Sequence, residues 1–118
     1  MNTTMKNKVQ LIGNLGKDPE MRELAKGGRV ARMSVATSER FKGPDGDWKE
    51  DVQWHAVVAW GLTAERASQL LKKGSKVALE GRLVHRSYET KDGQKRYMTE
   101  VVMNEFQLMG TKPAVAAE

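Results

Sequence analysis

Trp54 and Trp60 stand on one short segment, VQWHAVVAWG at 52–61, while Phe41 and Tyr88 sit in or beside polar, Gly- and Lys-rich stretches. Flat aromatic rings stack on flat ligands, and guanidinium or ammonium groups beside them pair with anions. The basic neighbours are in place: Lys42 follows Phe41, Arg86 precedes Tyr88 by two residues, and Lys95-Arg96 close the same turn. Rings interleaved with cations suit a polyanion that carries planar groups. A second role stays open for Trp54 and Trp60, because tryptophan also fills cores at high burial. Trp48, in another polar stretch, fits either role.

Other chemistries lack their residue patterns. His55 and His85 are the only histidines, and neither has a ligand-spaced carboxylate or histidine around it, so no metal site is expected. No nucleophile–His–acid constellation appears, so no catalytic residue and no enzyme activity are expected. Gly13 and Gly16 (GNLG) lack the spacing and the following helix of a dinucleotide loop. GPDGDWKE at 43–50 has too few carboxylates for a calcium loop. No cofactor is expected.

The elements that must position these rings follow from periodicity. Lys8–Leu15 alternates as a first strand, with Gly13 marking a bulge or sharp bend. Lys17–Gly28 is expected to be a loop, since Pro19 cannot pair and Gly27-Gly28 make a turn. Arg29–Ser38 reads as the second strand, Glu39–Glu50 as a polar loop and Asp51–Gly61 as the third strand. Thr63–Lys73 carries the one convincing helix, with Thr63 as N-cap, Glu65 and Lys72-Lys73 complementing the dipole, and Gly74 as the stop. Its apolar stripe is Ala67, Leu70 and Leu71. Lys76–Tyr88 and Tyr97–Leu108 are the fourth and fifth strands, joined by a hairpin turn centred on Asp92-Gly93. Three strands, one helix and two strands make an all-β chain with one helix, the layout of the OB-fold, a five-stranded Greek-key barrel.

Strand parity then sorts the side chains. Val52, Trp54, Ala56, Val58 and Trp60 share one face of the third strand, opposite Gln53, His55, Val57 and Ala59. In the fourth, Val77, Leu79 and Leu83 read as core, while Glu80, Arg82, Val84, Arg86 and Tyr88 read as outward. Aliphatic residues already supply a small barrel core, which favours an outward place for the tryptophans.

The 118 residues suffice for one domain that folds without staples, burying about two thirds of the surface its unfolded chain exposes. With no cysteine there are no disulfides or thiolate metal sites, and a reducing, cytoplasmic setting is the default. The polar start MNTTMKNK has no signal-peptide core behind it, and the longest apolar run, Ala56–Trp60, cannot span a bilayer, so no membrane association is expected. Twenty Lys and Arg against 15 acids give a net charge of +5, which favours polyanions without specifying one.

The stretches NKVQLIGNLGKDPE (7–20), VATSERF (35–41), EDVQWHAVVAWG (50–61), LLKKGSKVALEGRL (70–83) and GQKRYMTEVVMNEFQLMG (93–110) resemble bacterial single-stranded DNA-binding protein, in order and spacing. The last residues, TKPAVAAE at 111–118, read as a short flexible tail after a domain over 1–110. The resemblance implies that this domain is an OB-fold and that it forms a homotetramer that wraps single-stranded DNA with little sequence preference during replication, recombination and repair, in the cytoplasm with the nucleoid. Carried over by position, the stacking rings are Phe41, Trp54, Trp60 and Tyr88. The backbone-contacting cations are Lys8, Lys73, Arg86 and Arg96, and His55 falls near a subunit contact. Phe41 and Tyr88 stand where Trp is frequent in the family, and Trp60 where Phe is. Ala56 stands where Arg is common, which is expected to remove one phosphate contact. The family's acidic tip is not found before Glu118, so tip-mediated recruitment of repair enzymes is not expected of this sequence. The competing expectation is an OB module for RNA or for protein contacts, with its rings used in packing.

Overall fold

The computed structural model describes residues 6–109. Its elements run β1 (Val9–Leu15), β2 (Glu20–Glu23), β3 (Arg29–Lys42), β4 (Trp48–Trp60), α1 (Gly61–Leu70), β5 (Lys76–Glu89) and β6 (Lys95–Met109). The tail expected at 111–118 lies outside the described residues.

Neighbouring strands follow the order β1-β5-β6-β4-β3, and β1 also pairs with β3 at Asn14↔Ala36 and Leu15↔Val35, which closes the sheet. All pairings are antiparallel except β4 with β6, which run parallel at Val57↔Val101 and Val58↔Val102. A five-stranded closed barrel with one helix between β4 and β5 is the OB architecture expected above. Thirteen residues form the main core, among them Leu15, Met33, Val35, Val57, Val77, Leu79, Val101 and Met103. Alternation places the strand members on the inner faces of the five barrel strands, where apolar surface leaves water, and Ala64, Ala67 and Leu71 join them from the helix and its C-terminal end.

Gly13 is where β1 runs close beside β3. Its ladder with β5 continues unbroken through Gly13↔Val77, so there is no bulge. A Cβ at Gly13 would collide with the Ala36 carbonyl oxygen, and glycine permits the approach. The irregularity falls instead between Glu80 and Gly81, where the register steps from Glu105 to Met103 and leaves Asn104 unpaired.

Three expectations are corrected. The segment taken as a loop before Gly28 contains β2, which pairs with β3 from Glu20↔Arg32 to Glu23↔Arg29. All four of its residues are exposed, so no alternation marks it. The polar loop expected at 39–50 is mostly hairpin: β3 and β4 stay in register out to Lys42↔Trp48, and only the turn around Gly43–Asp47 remains. Gly46 supplies the positive φ of 86° that the turn requires.

The helix begins earlier than Thr63 and ends earlier than Lys73. Trp60 is its N-cap, without a side-chain hydrogen bond, and no acid occupies the first turn or base the last. Tertiary packing holds it instead: Ala64, Ala67 and Leu71 are buried against the barrel, whereas Leu70 is exposed. Glu65 pairs with Arg29 at 3.0 Å, tying the helix to the start of β3.

Candidate nucleic-acid interface

The outer face of the barrel is built by the same alternation that builds the core. Along β4, Val57 and Ala59 are 1% and 0% exposed, while Trp54 and Trp60 on the opposite face are 61% and 42% exposed. Six residues of strand separate the two rings, about 20 Å at the usual rise. The ring of Trp54 lies over Gly16, where a Cβ would stand 2.6 Å from its Cζ3. One side of the indole is thus backed by main chain.

The loop beneath that ring also places a cation. Asp18 accepts a hydrogen bond from the Lys73 backbone N–H at 2.7 Å, and Gly74 donates to the Leu15 carbonyl at 2.8 Å. Lys73, just beyond α1, is therefore tethered to the segment that supports Trp54. Tyr88 and Arg96 face each other across β5 and β6, at the base of the hairpin turn. Tyr88 is 54% exposed. The turn has the expected centre: Gly93 takes a φ of 84° and donates to the Thr90 carbonyl. The Thr90 hydroxyl also bonds the Asp92 carboxylate, and this holds the carboxyl below its ordinary range.

Not every expected residue joins this face in the same way. In the unbroken β3–β4 register, Phe41 opposes Lys49 and Trp48 opposes Lys42. Alternation therefore puts Trp48 on the side of Trp54 and Phe41 on the other side of the projecting arm. Both rings are exposed, and the Arg40 guanidinium lies 5.7 Å from the Trp48 ring centre. Lys8 precedes β1, across β5 from the rings, and its ammonium is 3.4 Å from Glu80. His55 lies on the core side of β4, half-buried, and its Nε2 hydrogen-bonds the Thr37 hydroxyl at 2.9 Å.

Two residues of β5 differ in burial from what parity suggests. Val84, read as outward, packs with Val30, Val58 and Val102 in a small second cluster on the outer face. Leu83, read as core, is 39% exposed although its cross-strand partner Val101 belongs to the main core.

Two residues of the face escaped the sequence reading. Glu100 is 2% exposed although charged. Its Oε2 accepts a hydrogen bond from Arg32 Nη1 at 3.4 Å, and its Oε1 lies 2.7 Å from Arg86 Nε. The Arg86 N–H is not aligned on Oε1, so that contact is a charge pair without a hydrogen bond. Arg86, one of the expected backbone-contacting cations, is thus also paired with Glu100. Strand parity would have placed Arg32 outward, and only the fold brings Glu100 to it.

An open cavity of about 170 Å³ lies over the part of β4 between positions 54 and 60, with Ala56 and Val58 among its lining residues together with Lys17, Glu20, Arg32 and Glu100. A larger one, about 580 Å³, opens beside Ile12, Arg66 and Phe106 and holds none of the expected site residues. A ring-studded, cationic sheet face suits a long polymer better than that hollow does. Among the described residues no cluster of three potential metal ligands occurs, and no helix is long and apolar enough to cross a membrane.

A closed OB barrel with exposed rings and arginines on one outer face defines a class of binding domain in which polymer ligands lie along the sheet. The sequence matches the single-strand binding protein family over residues 6–109, and the chain belongs to that family. It is 50% identical over 107 residues to single-stranded DNA-binding protein 1 of Chlorobaculum tepidum, covering 90% of this chain and 66% of that protein. It is 45% identical over 107 residues to single-stranded DNA-binding protein 1 of Xylella fastidiosa, covering 90% of this chain and 79% of that one. Among solved structures, the Plasmodium falciparum SSB complex with ssDNA superposes with a TM-score of 0.82 at 28% identity, covering 93% of this chain and 100% of the other. The chain thus spans about two thirds of the Chlorobaculum relative's length.

Proposed function

We propose that this domain binds single-stranded DNA with little sequence preference. Bases stack on Trp54, Trp60, Tyr88 and the arm ring Phe41, while Lys73, Arg86, Arg96 and, at the far edge, Lys8 neutralise phosphates. The observation that carries this reading is the pair of exposed tryptophans on the outer face of β4, a few residues from an aliphatic core that does not need them. Exposing large rings to water is unfavourable unless a ligand covers them. Single strands are selected because a duplex keeps its base faces stacked, and any base offers a ring face, so sequence matters little. Phosphate neutralisation releases counterions, which makes affinity fall steeply with salt.

Membership of the family supports the wider role: protection of single strands in replication, recombination and repair, in the cytoplasm beside the nucleoid. It also supports the homotetramer that the resemblance implies, in which one strand meets several barrels and gains avidity. His55 is assigned to a subunit contact in that assembly. Substitution of His55 is expected to lower the mass seen by light scattering at low concentration, with stacking retained in each protomer.

The deciding experiment is a tryptophan fluorescence titration with oligo-dT, an RNA of equal length and duplex DNA. Strong quenching by oligo-dT alone is expected. Equal quenching by the RNA would favour a general single-strand module, and no quenching by any of the three would defeat the proposal.

A further inference from the structure

We propose that Arg32 forms a phosphate-binding station between Trp54 and Trp60, and that the buried Glu100 holds it in position. The proposal rests on the single-stranded DNA reading above and adds a residue to it.

Arg32 starts on β3 opposite Val58, whereas Glu100 lies on β6, two strands away and about 10 Å across the sheet. Their hydrogen bond therefore crosses β4. It crosses at Ala56 and Val58, which line one cavity with Arg32 and Glu100. The small side chain at 56 leaves the gap, and a long one there would stand in the path. Ala56, Val58 and the two tryptophans alternate along the same face, so Arg32 sits over the stretch that a strand stacked on both rings must cross.

The electrostatics favour an anion at this point. Glu100 is buried, but the Arg32 and Arg86 side chains that flank it are 51% and 49% exposed. Arg32, Arg86 and Lys17 against Glu100 and Glu20, the latter opposite Arg32 in the β2–β3 ladder, leave one net positive charge. Each guanidinium carries five N–H donors, and Glu100 takes a hydrogen bond from only one nitrogen of Arg32, so donors on both half-exposed side chains are left for phosphate oxygens. Lys17 and Glu20, on the same cavity, pair at 3.8 Å. A carboxylate gripping an arginine from behind limits its rotamers, so less freedom is lost when the phosphate binds.

Arg32→Gln is the direct test, read by oligo-dT titration across a salt series. Loss of one phosphate contact lowers the salt slope by about 0.7 and weakens binding about fivefold at 0.1 M salt relative to 1 M. Fluorescence quenching at saturation stays as in the wild type, because the rings remain. A wild-type slope in Arg32→Gln overturns the station while leaving the single-strand reading intact; failure of the wild type to bind oligo-dT defeats both. The positioning role is tested by a double-variant cycle with Glu100→Gln. In that background Arg32→Gln should cost less than half of its fold-loss in the wild type, and an equal or larger cost overturns the role. Where Glu100→Gln does not refold, Glu100→Asp keeps the charge, withdraws the carboxylate by one methylene, and enters the same cycle with the same expectation.

Discussion

The two faces of β4 are made from one chain segment and answer to different constraints. Inward, Val57 and Ala59 are sealed from water among other aliphatic residues. Outward, Trp54 and Trp60 keep much of their ring surface wet, yet Val58 between them is only 3% exposed. The outer face is thus not simply a surface. It has its own small anchor of Val30, Val58, Val102 and Val84 and its own buried carboxylate, Glu100. Burial on that side steadies the floor between the rings and leaves the rings themselves exposed.

Substitutions on the two faces should therefore separate stability from binding. Trp54→Ala removes a ring but no core contact. It is expected to lower single-stranded DNA affinity by about 5- to 150-fold, the range for one stacked base, with an unchanged denaturation midpoint. Val57→Ala does the reverse: a cavity in the main core costs about 2 kcal/mol of stability, while the folded fraction binds as before. Paired urea melts and oligo-dT titrations check both. If Trp54→Ala lowers the midpoint as far as Val57→Ala does, the outer tryptophan is a packing residue and the contrast between the faces collapses.

A milder variant sharpens the outer half of the comparison. Gly16→Ala introduces a Cβ 2.6 Å from the Trp54 ring, so the indole must shift away from its backing. Gly16 needs no positive φ, so the backbone itself tolerates alanine. Binding should weaken by less than in Trp54→Ala, accompanied by a changed tryptophan emission spectrum in the free protein. An unaltered spectrum would show that the ring does not rest on Gly16 in solution.

The arm offers a smaller contrast of the same kind. Trp48 shares the face of Trp54, although it is covered on one side by Arg40. Trp48→Ala is expected to weaken binding toward the lower end of the stacking range, about 1 kcal/mol, on oligonucleotides long enough to reach the arm. Unchanged affinity on long oligonucleotides would mean that the ring serves only its contact with Arg40.

These cases also show what could be read in advance. Alternation reveals a strand only where one of its faces is buried. It marked the barrel strands and put both tryptophans on one face, and the aliphatic residues of the other face favoured an outward place for them, but it was silent for β2 and for the outer parts of β3 and β4, whose residues are exposed on both sides. Those segments are held by backbone pairing, which leaves little trace in side-chain pattern. Arg32 and Glu100 are 68 residues apart, and the link between them exists only after β4 has been laid between β3 and β6. Parity likewise gave Leu83 and Val84 their sides of β5 but not their burial, which depends on what packs over each position.

The smallest expected effect lies at the β5–β6 turn, which supports the Tyr88–Arg96 pair. The Thr90 hydroxyl is the main cause of the lowered Asp92 pKa, opposed by desolvation and aided to a smaller extent by the backbone N–H groups of Asp92 and Gln94. A carboxylate whose folded pKa is depressed adds stability above its unfolded value, about 3.9, and loses that contribution as pH falls through the folded value. The turn is thus fully held at neutral pH and loosens only in acid. Thr90→Val removes the main cause, so the Asp92 titration, followed by NMR, should move up toward the ordinary carboxylate value. Because Asp92 is ionised in both proteins at pH 7, oligo-dT affinity there should barely change. A large loss of binding at pH 7 would mean that the Thr90 hydroxyl orders Tyr88 and Arg96 directly, and that the turn belongs to the interface rather than to its support.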